Sequence, residues 1–388
     1  MVESALDVRE LPKLLNADFE RIELAKQRQA AVWEGRKPDA WPIFLSAPLT
    51  ADQQEIPSPN LQEAFYDADL MLCSQVRGAC GAFNARSDSV PSIRANFGTG
   101  ATLACLGLQQ EIFSDIMPWL QQHLTREQVA KLEPDDIKIQ GDFERALVFM
   151  RRFNEILGDS LPVFCLDTQG PLDLAHLILG DDIFLAFYDD PSFSHHLMEI
   201  ALEVGIRTHT WLKEVTGEPL TEHYHGELYA KNMGVRICED TSAIIGPELI
   251  EQFVVPYTQR LAQQFGGAWI HYCGRNDHLT EAVCGIPEIR AVNFGHIPGH
   301  EHLHIVEEDL ERFAKYGKVY LGNFPRFENE SGRDYLRRMH VWSSQGLMML
   351  HGDPAIAAYS ADEKSGSTDS ADLFPDVQSA LDFWYNLG

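Results

Sequence analysis

The stretch "GPELIEQFVVPYTQRLAQQFGGAWIHYCG", residues 246–274, decides how this chain folds. Its first part reads as a helix. Pro247 suits the first helical position, and Glu248 follows near the positive helix end. Ile250, Phe253, Val254, Tyr257 and Leu261 recur at a spacing that lays one apolar stripe along a helix. Pro256 is expected to kink it, and Gly266 with Gly267 to end it. The second part, "AWIHYCG" (268–274), is an apolar run of strand length. A helix that returns at once into a buried strand is the repeating unit of a parallel α/β sheet.

Similar strand-like runs lie on either side. They are "WPIFLSAP" (41–48), "VPSIRANFG" (90–98), "LPVFCLDTQG" (161–170), "NMGVRICED" (232–240), "EIRAVNFGH" (288–296), "KVYLGNFP" (318–325) and "GLMMLHGDP" (346–354), making eight in all. Most are separated by helix-like segments, such as the one from about 189 to 217. Eight strands alternating with helices predict a single (β/α)8 barrel. The alternative is an open doubly wound sheet. It would usually carry a glycine-rich turn after the first strand, and "FLSAPLTADQQ" is not one. Residues 1–35 read as an N-terminal helical extension and 36–388 as the barrel. "GTGATLACLG" (98–107) reads as a tight turn into a helix, and "VQSALDFWYNLG" (377–388) as a last helix.

The 388 residues are 45% hydrophobic and 23% charged, so the core needs neither disulfide nor metal to stand. A net charge of −27 argues against nucleic acid and anionic membranes as partners. It also disfavours highly anionic substrates, unless a local basic pocket offsets it. The N-terminus has no basic start followed by an apolar run, and no stretch is long and apolar enough to span a bilayer. The 7 cysteines are scattered and odd in number. A cytoplasmic chain with reduced thiols is therefore expected.

A barrel places its chemistry at the C-terminal ends of the strands. There His271 and Cys273 stand two residues apart, which on a strand puts both on one face. Imidazole and thiolate together suit zinc, which needs a third protein ligand. The candidates for it are His351, Asp353, Glu239, Asp240, His296 and Cys284. The same pair would equally be a histidine and a thiol that only pack. Glu239, Asp240 and His296 are candidate general acids or bases. Asn96, Asp167, Gln169 and Asn323 close other strands and are candidate substrate-binding residues. So are His223 and His225 of "EHYHGE" (222–227), which would otherwise cap a surface strand. No nucleotide phosphate loop, G-x-S-x-G elbow or H-E-x-x-H motif occurs.

The segments "QGPLDLAHLILG" (169–180), "EDTSAIIGPELIEQFVVPYTQRLAQQFGG" (239–267), "IHYCG" (270–274) and "VYLGNFP" (319–325) fall in an order that resembles the uroporphyrinogen decarboxylase superfamily. The resemblance implies a single (β/α)8 barrel. One branch decarboxylates uroporphyrinogen without a cofactor, and carries an arginine-rich signature just after the first strand. Here that position has no arginine. In this reading Asp88 or Asp167 would steady a protonated pyrrole. The other branch moves methyl groups between small molecules, corrinoid proteins and thiol or folate acceptors. Many of its members hold zinc with an H-x-C pair and a later cysteine. His271 and Cys273 match the pair. Asp353 stands where the later cysteine would be, with His351 beside it. The resemblance thus implies a methyltransferase acting on a small methylated substrate, with zinc and with a corrinoid (cobalamin) carried by a partner protein. A decarboxylase in porphyrin biosynthesis is the alternative, and a non-catalytic tetrapyrrole-binding barrel the third reading.

Overall fold

A computed structural model describes residues 6–295, 306–324, 327, 330–351 and 374–388. The expectations placed on His296 and Asp353, and on the side chain of His351, lie outside the described residues.

The described strands are β1 (Ile43–Phe44), β2 (Gln110–Glu111), β3 (Trp119–Leu120), β4 (Glu222–His225), β5 (Leu228–Lys231), β6 (Val235–Cys238), β7 (Ala268–Cys273), β8 (Ile289–Gly295), β9 (Val319–Gly322) and β10 (Met348–His351). One sheet runs β1-β10-β9-β8-β7-β6, and every pairing in it is parallel. The first strand therefore sits beside the last, with Ile43 opposite Leu350 and Phe44 opposite His351. This α/β arrangement is compatible with a barrel. The pairs β2-β3 and β4-β5 are separate antiparallel hairpins that the sequence pattern did not predict.

Six strands share the sheet rather than eight. The segments expected as strands at 90–98 and 161–170 meet at a single parallel bridge, Ile93 to Val163. Pro91 and Pro162 lie inside them, and each removes a ladder donor. Backbone bonds tie the chain just before the first of these segments, and the end of the second, to the two edges of the sheet. The Asp88 amide donates to the Ile43 carbonyl (2.9 Å), and the Gly170 amide to the Cys238 carbonyl (2.7 Å).

The helix expected over 246–267 has three parts: Pro247–Leu249, a wide π turn at Ile250–Val254, and Val255–Gln264. Pro256 has no N–H, and the widened turn ahead of it takes up the missing bond. Its inward stripe is buried as expected, with Phe253, Val254 and Leu261 fully covered. The helix Pro191–Thr216 is capped by Asp190, whose carboxylate accepts from the Phe193 amide, and ends at Gly217 with φ of 76°.

The N-terminal helix Phe19–Trp33 is docked onto the rest. Gln29 donates to the carbonyls of Asp88 (2.8 Å) and Glu227 (3.1 Å) and accepts from the Tyr229 amide (2.8 Å). The fully buried Asp88 carboxylate accepts from Arg21, Arg28 and the Tyr385 hydroxyl, and from the Ile43 amide. The helix Phe19–Trp33 and Tyr385 are thereby pinned beside β1. No helix among the described residues is long and apolar enough to cross a membrane.

Candidate metal cluster and adjoining cavity

The site follows from the alternation of side chains along three parallel strands. On β7, Trp269, His271 and Cys273 share one face. The register sets Arg236 of β6 opposite Trp269, and Cys238 of β6 opposite His271. On the other side, Asn293 of β8 stands opposite His271 and Gly295 opposite Cys273. Two residues past Cys238, Asp240 accepts from the Cys273 amide (2.6 Å).

Asn293 orients the imidazole. Its side-chain amide donates to the Leu321 carbonyl (2.6 Å), so its oxygen is turned to His271 Nδ1, 2.5 Å away. That bond puts the ring proton on Nδ1 and leaves the Nε2 lone pair facing the other groups. Nε2 lies 3.6 Å from Cys273 Sγ and 3.8 Å from Asp240 Oδ1. The ligand atoms of Cys238, Asp240 and His271 all lie within 4.8 Å of one another. A tetrahedral zinc ion with bonds of roughly 2.0–2.3 Å holds its ligands about 3.3–3.8 Å apart. The sulfur, oxygen and nitrogen donors therefore fit such an ion with small adjustments. Burial, followed by the Arg236 guanidinium, holds the His271 imidazole below its ordinary value, so it favours the neutral form that binds metal. Burial pushes the Cys238 thiol well up. It also pushes Cys273 up to about 11, aided by Asp240. Both are thiols until a cation displaces the proton.

Glu239 points elsewhere. It is fully buried and accepts from the Leu172 and Asp173 amides and from the hydroxyls of Ser242 and Thr258. Asp173 reciprocates by accepting from the amides of Asp240 (2.9 Å) and Thr241 (2.7 Å). The two carboxylates thus lock the helix Pro171–Leu179 to the loop after β6. Burial raises Asp173 to about 6, and burial with Asp173 raises Glu239 well above the usual range.

Beside this group of donors lies a cavity of about 630 Å³, whose lining includes Arg94, Phe164, His225, Trp269, Asn293 and Asn323. That volume suits a small molecule. Asn293 is the wall it shares with the cluster. Asp167 stands nearby, accepting from Arg236 (2.8 Å) and paired with Arg94 (3.2 Å). Of the expected substrate-binding residues, His225 and Asn323 line this cavity. His223 is 4% exposed and lies behind His225, with no hydrogen-bond partner on either ring nitrogen among the described residues. Asn96 and Gln169 are not among the lining residues; the Asn96 backbone amide donates to the Met71 sulfur, and its side-chain amide donates to the Met117 sulfur. Asp88 is not among the lining residues either, and its carboxylate is taken up by its partners.

Sequence reasoning overlooked Cys238 as a candidate ligand and Arg236 as a charged neighbour of the site. The signal was present as C-x-D at 238–240, one strand before H-x-C at 271–273. Only the register makes the two motifs face each other.

No family model matches the chain, and no curated protein matches it. Among solved structures, a methyltransferase from Methanosarcina mazei is similar, with a TM-score of 0.62 over 93% of this chain and 98% of that one, at 12% identity. At this identity the likeness shows the fold, and it extends over nearly the whole of both chains.

Proposed function

We propose that this protein is a methyltransferase built on a closed (β/α)8 barrel, acting on a small methylated molecule. The observation that carries the reading is the group of nitrogen, sulfur and oxygen donors (His271, Cys238, Asp240) set beside a cavity of small-molecule size. The fold shared with a methyltransferase supports it. Barrel closure is supported by the bonds that carry the circuit through 88–98 and 161–170.

His271, Cys238 and Asp240 would hold zinc, with Cys273 completing the set or standing ready as a fourth donor. Zinc there would act as a Lewis acid on the heteroatom of the donor or acceptor. Asn293 fixes the His271 tautomer, and Arg236 supplies a fixed positive charge one row below. Asp240, about half-exposed, would be the ligand of the set nearest to solvent. A corrinoid on a partner protein would be the methyl carrier, and the site would be cytoplasmic.

The test is methyl transfer to cob(I)alamin from methylamines, methoxy-aromatics and methanol, run on zinc-loaded wild type and on His271→Ala. Transfer by wild type that the variant loses supports the reading. Silence with all three donor classes from a zinc-loaded enzyme overturns it.

A further inference from the structure

The cavity carries a charge arrangement that the methyl-transfer reading does not require. Asp167 is the only carboxylate paired with Arg94 and Arg236 among the described residues, so one carboxylate serves two guanidiniums. The group of three keeps one excess positive charge, inside a chain whose net charge is −27.

The two arginines are not equivalent. Arg236 is largely buried, with its guanidinium 5.6 Å from the Trp269 ring centre, and does not line the cavity. Arg94 is part of the cavity wall and is bound by a single Nη at 3.2 Å. A guanidinium has five donors in a planar fork, so most of this fork remains for a ligand. The imidazole of His225 is held well below its ordinary value, first by burial and then by Arg236 and Arg94, so it adds no competing charge. Phe164 and Trp269 flank His225, at 5.1 and 5.2 Å between ring centres, and give this wall flat apolar faces. Glu227 also lines the cavity, on the hairpin turn, and makes it two-signed.

We propose that Arg94 is the anchor for the carboxylate of a small aromatic or apolar-bodied monoanion. The body of that ligand lies against Phe164, His225 and Trp269, and its far end approaches Asn293 and hence the His271 cluster. The statement about the reacting end rests on the methyl-transfer reading. The anion-binding half does not.

The test is therefore binding, measured by calorimetry and ligand-observed NMR on the full chain, with benzoate, its neutral isostere benzamide, and benzylammonium. Benzoate is expected to bind and benzamide to bind at least about tenfold more weakly, the scale of one or two charge-assisted hydrogen bonds. Arg94→Gln should abolish that preference, and Arg94→Lys should restore part of it. A thermal melt of each variant checks that it is folded. Equal binding of benzoate and benzamide, an unchanged preference in folded Arg94→Gln, or no binding by any probe overturns the proposal. Preference for benzylammonium also overturns it and transfers the anchor to Glu227. Benzoate binding without methyl transfer from any donor would retain Arg94 as an anion site while removing the methyltransferase reading.

Discussion

Cys238 and His271 stand directly opposite each other on two parallel strands, and the amide of Cys273, one row higher, donates to Asp240. The C-x-D motif at 238–240 and His271, more than thirty residues away, thus become one group of ligand atoms within 4.8 Å, with Cys273 Sγ beside it, 3.6 Å from His271 Nε2.

Cys238 is expected to be a metal ligand on the same footing as His271. Wild type dialysed against zinc should retain about one ion per chain, as structural and catalytic zinc sites do. Cys238→Ala and His271→Ala should each lower that content sharply, and cobalt substitution should show a thiolate charge-transfer band that Cys238→Ala weakens. Full zinc retention by Cys238→Ala would remove this cysteine from the ligand set.

Asn293→Ala should leave the fold intact but weaken zinc binding by about 10–100-fold, because His271 loses the partner that fixes its tautomer. Competition with a chromophoric chelator reads this directly. An unchanged affinity would show that the imidazole is held by packing alone.

Asp88→Ala should destabilise the protein by about 3–5 kcal/mol, since it leaves the buried Arg28 and the largely buried Arg21 facing each other without their shared carboxylate. Urea unfolding followed by tryptophan fluorescence measures it. A loss below roughly 1 kcal/mol would mean that water replaces the carboxylate.

Two glycine substitutions should have opposite signs. A Cβ on Gly234 would lie 2.0 Å from the Leu220 carbonyl oxygen and 2.6 Å from that of Phe265, both backbone, so Gly234→Ala must shift the chain and destabilise it. A Cβ on Gly205, inside the helix Pro191–Thr216, meets nothing closer than Leu261 at 3.5 Å. Gly205→Ala should stabilise by about 0.5–1 kcal/mol. Thermal melts of the two variants give the comparison, and equal signs would contradict it.

Acid should destabilise the fold through buried histidines. Burial lowers His209 from 6.5 to about 4, and the Lys213 ammonium adds to this. Above pH 6.5 neither the folded nor the unfolded chain binds this proton, so the residue has no effect. Between pH 6.5 and 4 only the unfolded chain binds it, and stability falls as pH falls, by on the order of 3 kcal/mol in all. His209→Leu should flatten this part of the stability–pH curve. A curve of unchanged slope would assign the acid sensitivity to other groups.

The α/β class was legible because periodicity is local. The stripe from Ile250 to Leu261 and the apolar run 268–273 are visible without any partner, and both elements form where expected. The strands at 90–98 and 161–170 were over-read, because an apolar run conceals the donors that Pro91 and Pro162 remove. Glu239 and Asp240 could not be told apart as neighbours on a line, yet alternation sends one to the helix Pro171–Leu179 and the other to the cluster.

By itself the sequence determined the alternating α/β pattern, the placing of His271 and Cys273 on one face of a strand, and the acidity that disfavours polyanionic partners. Tertiary structure decided which residues join that pair. Register between strands, set by packing of both sheet faces, brings Cys238 and Asn293 to His271. The meeting of three distant segments puts Asp167 between Arg94 and Arg236. Such contacts depend on distances between strands, and no spacing along the chain encodes them.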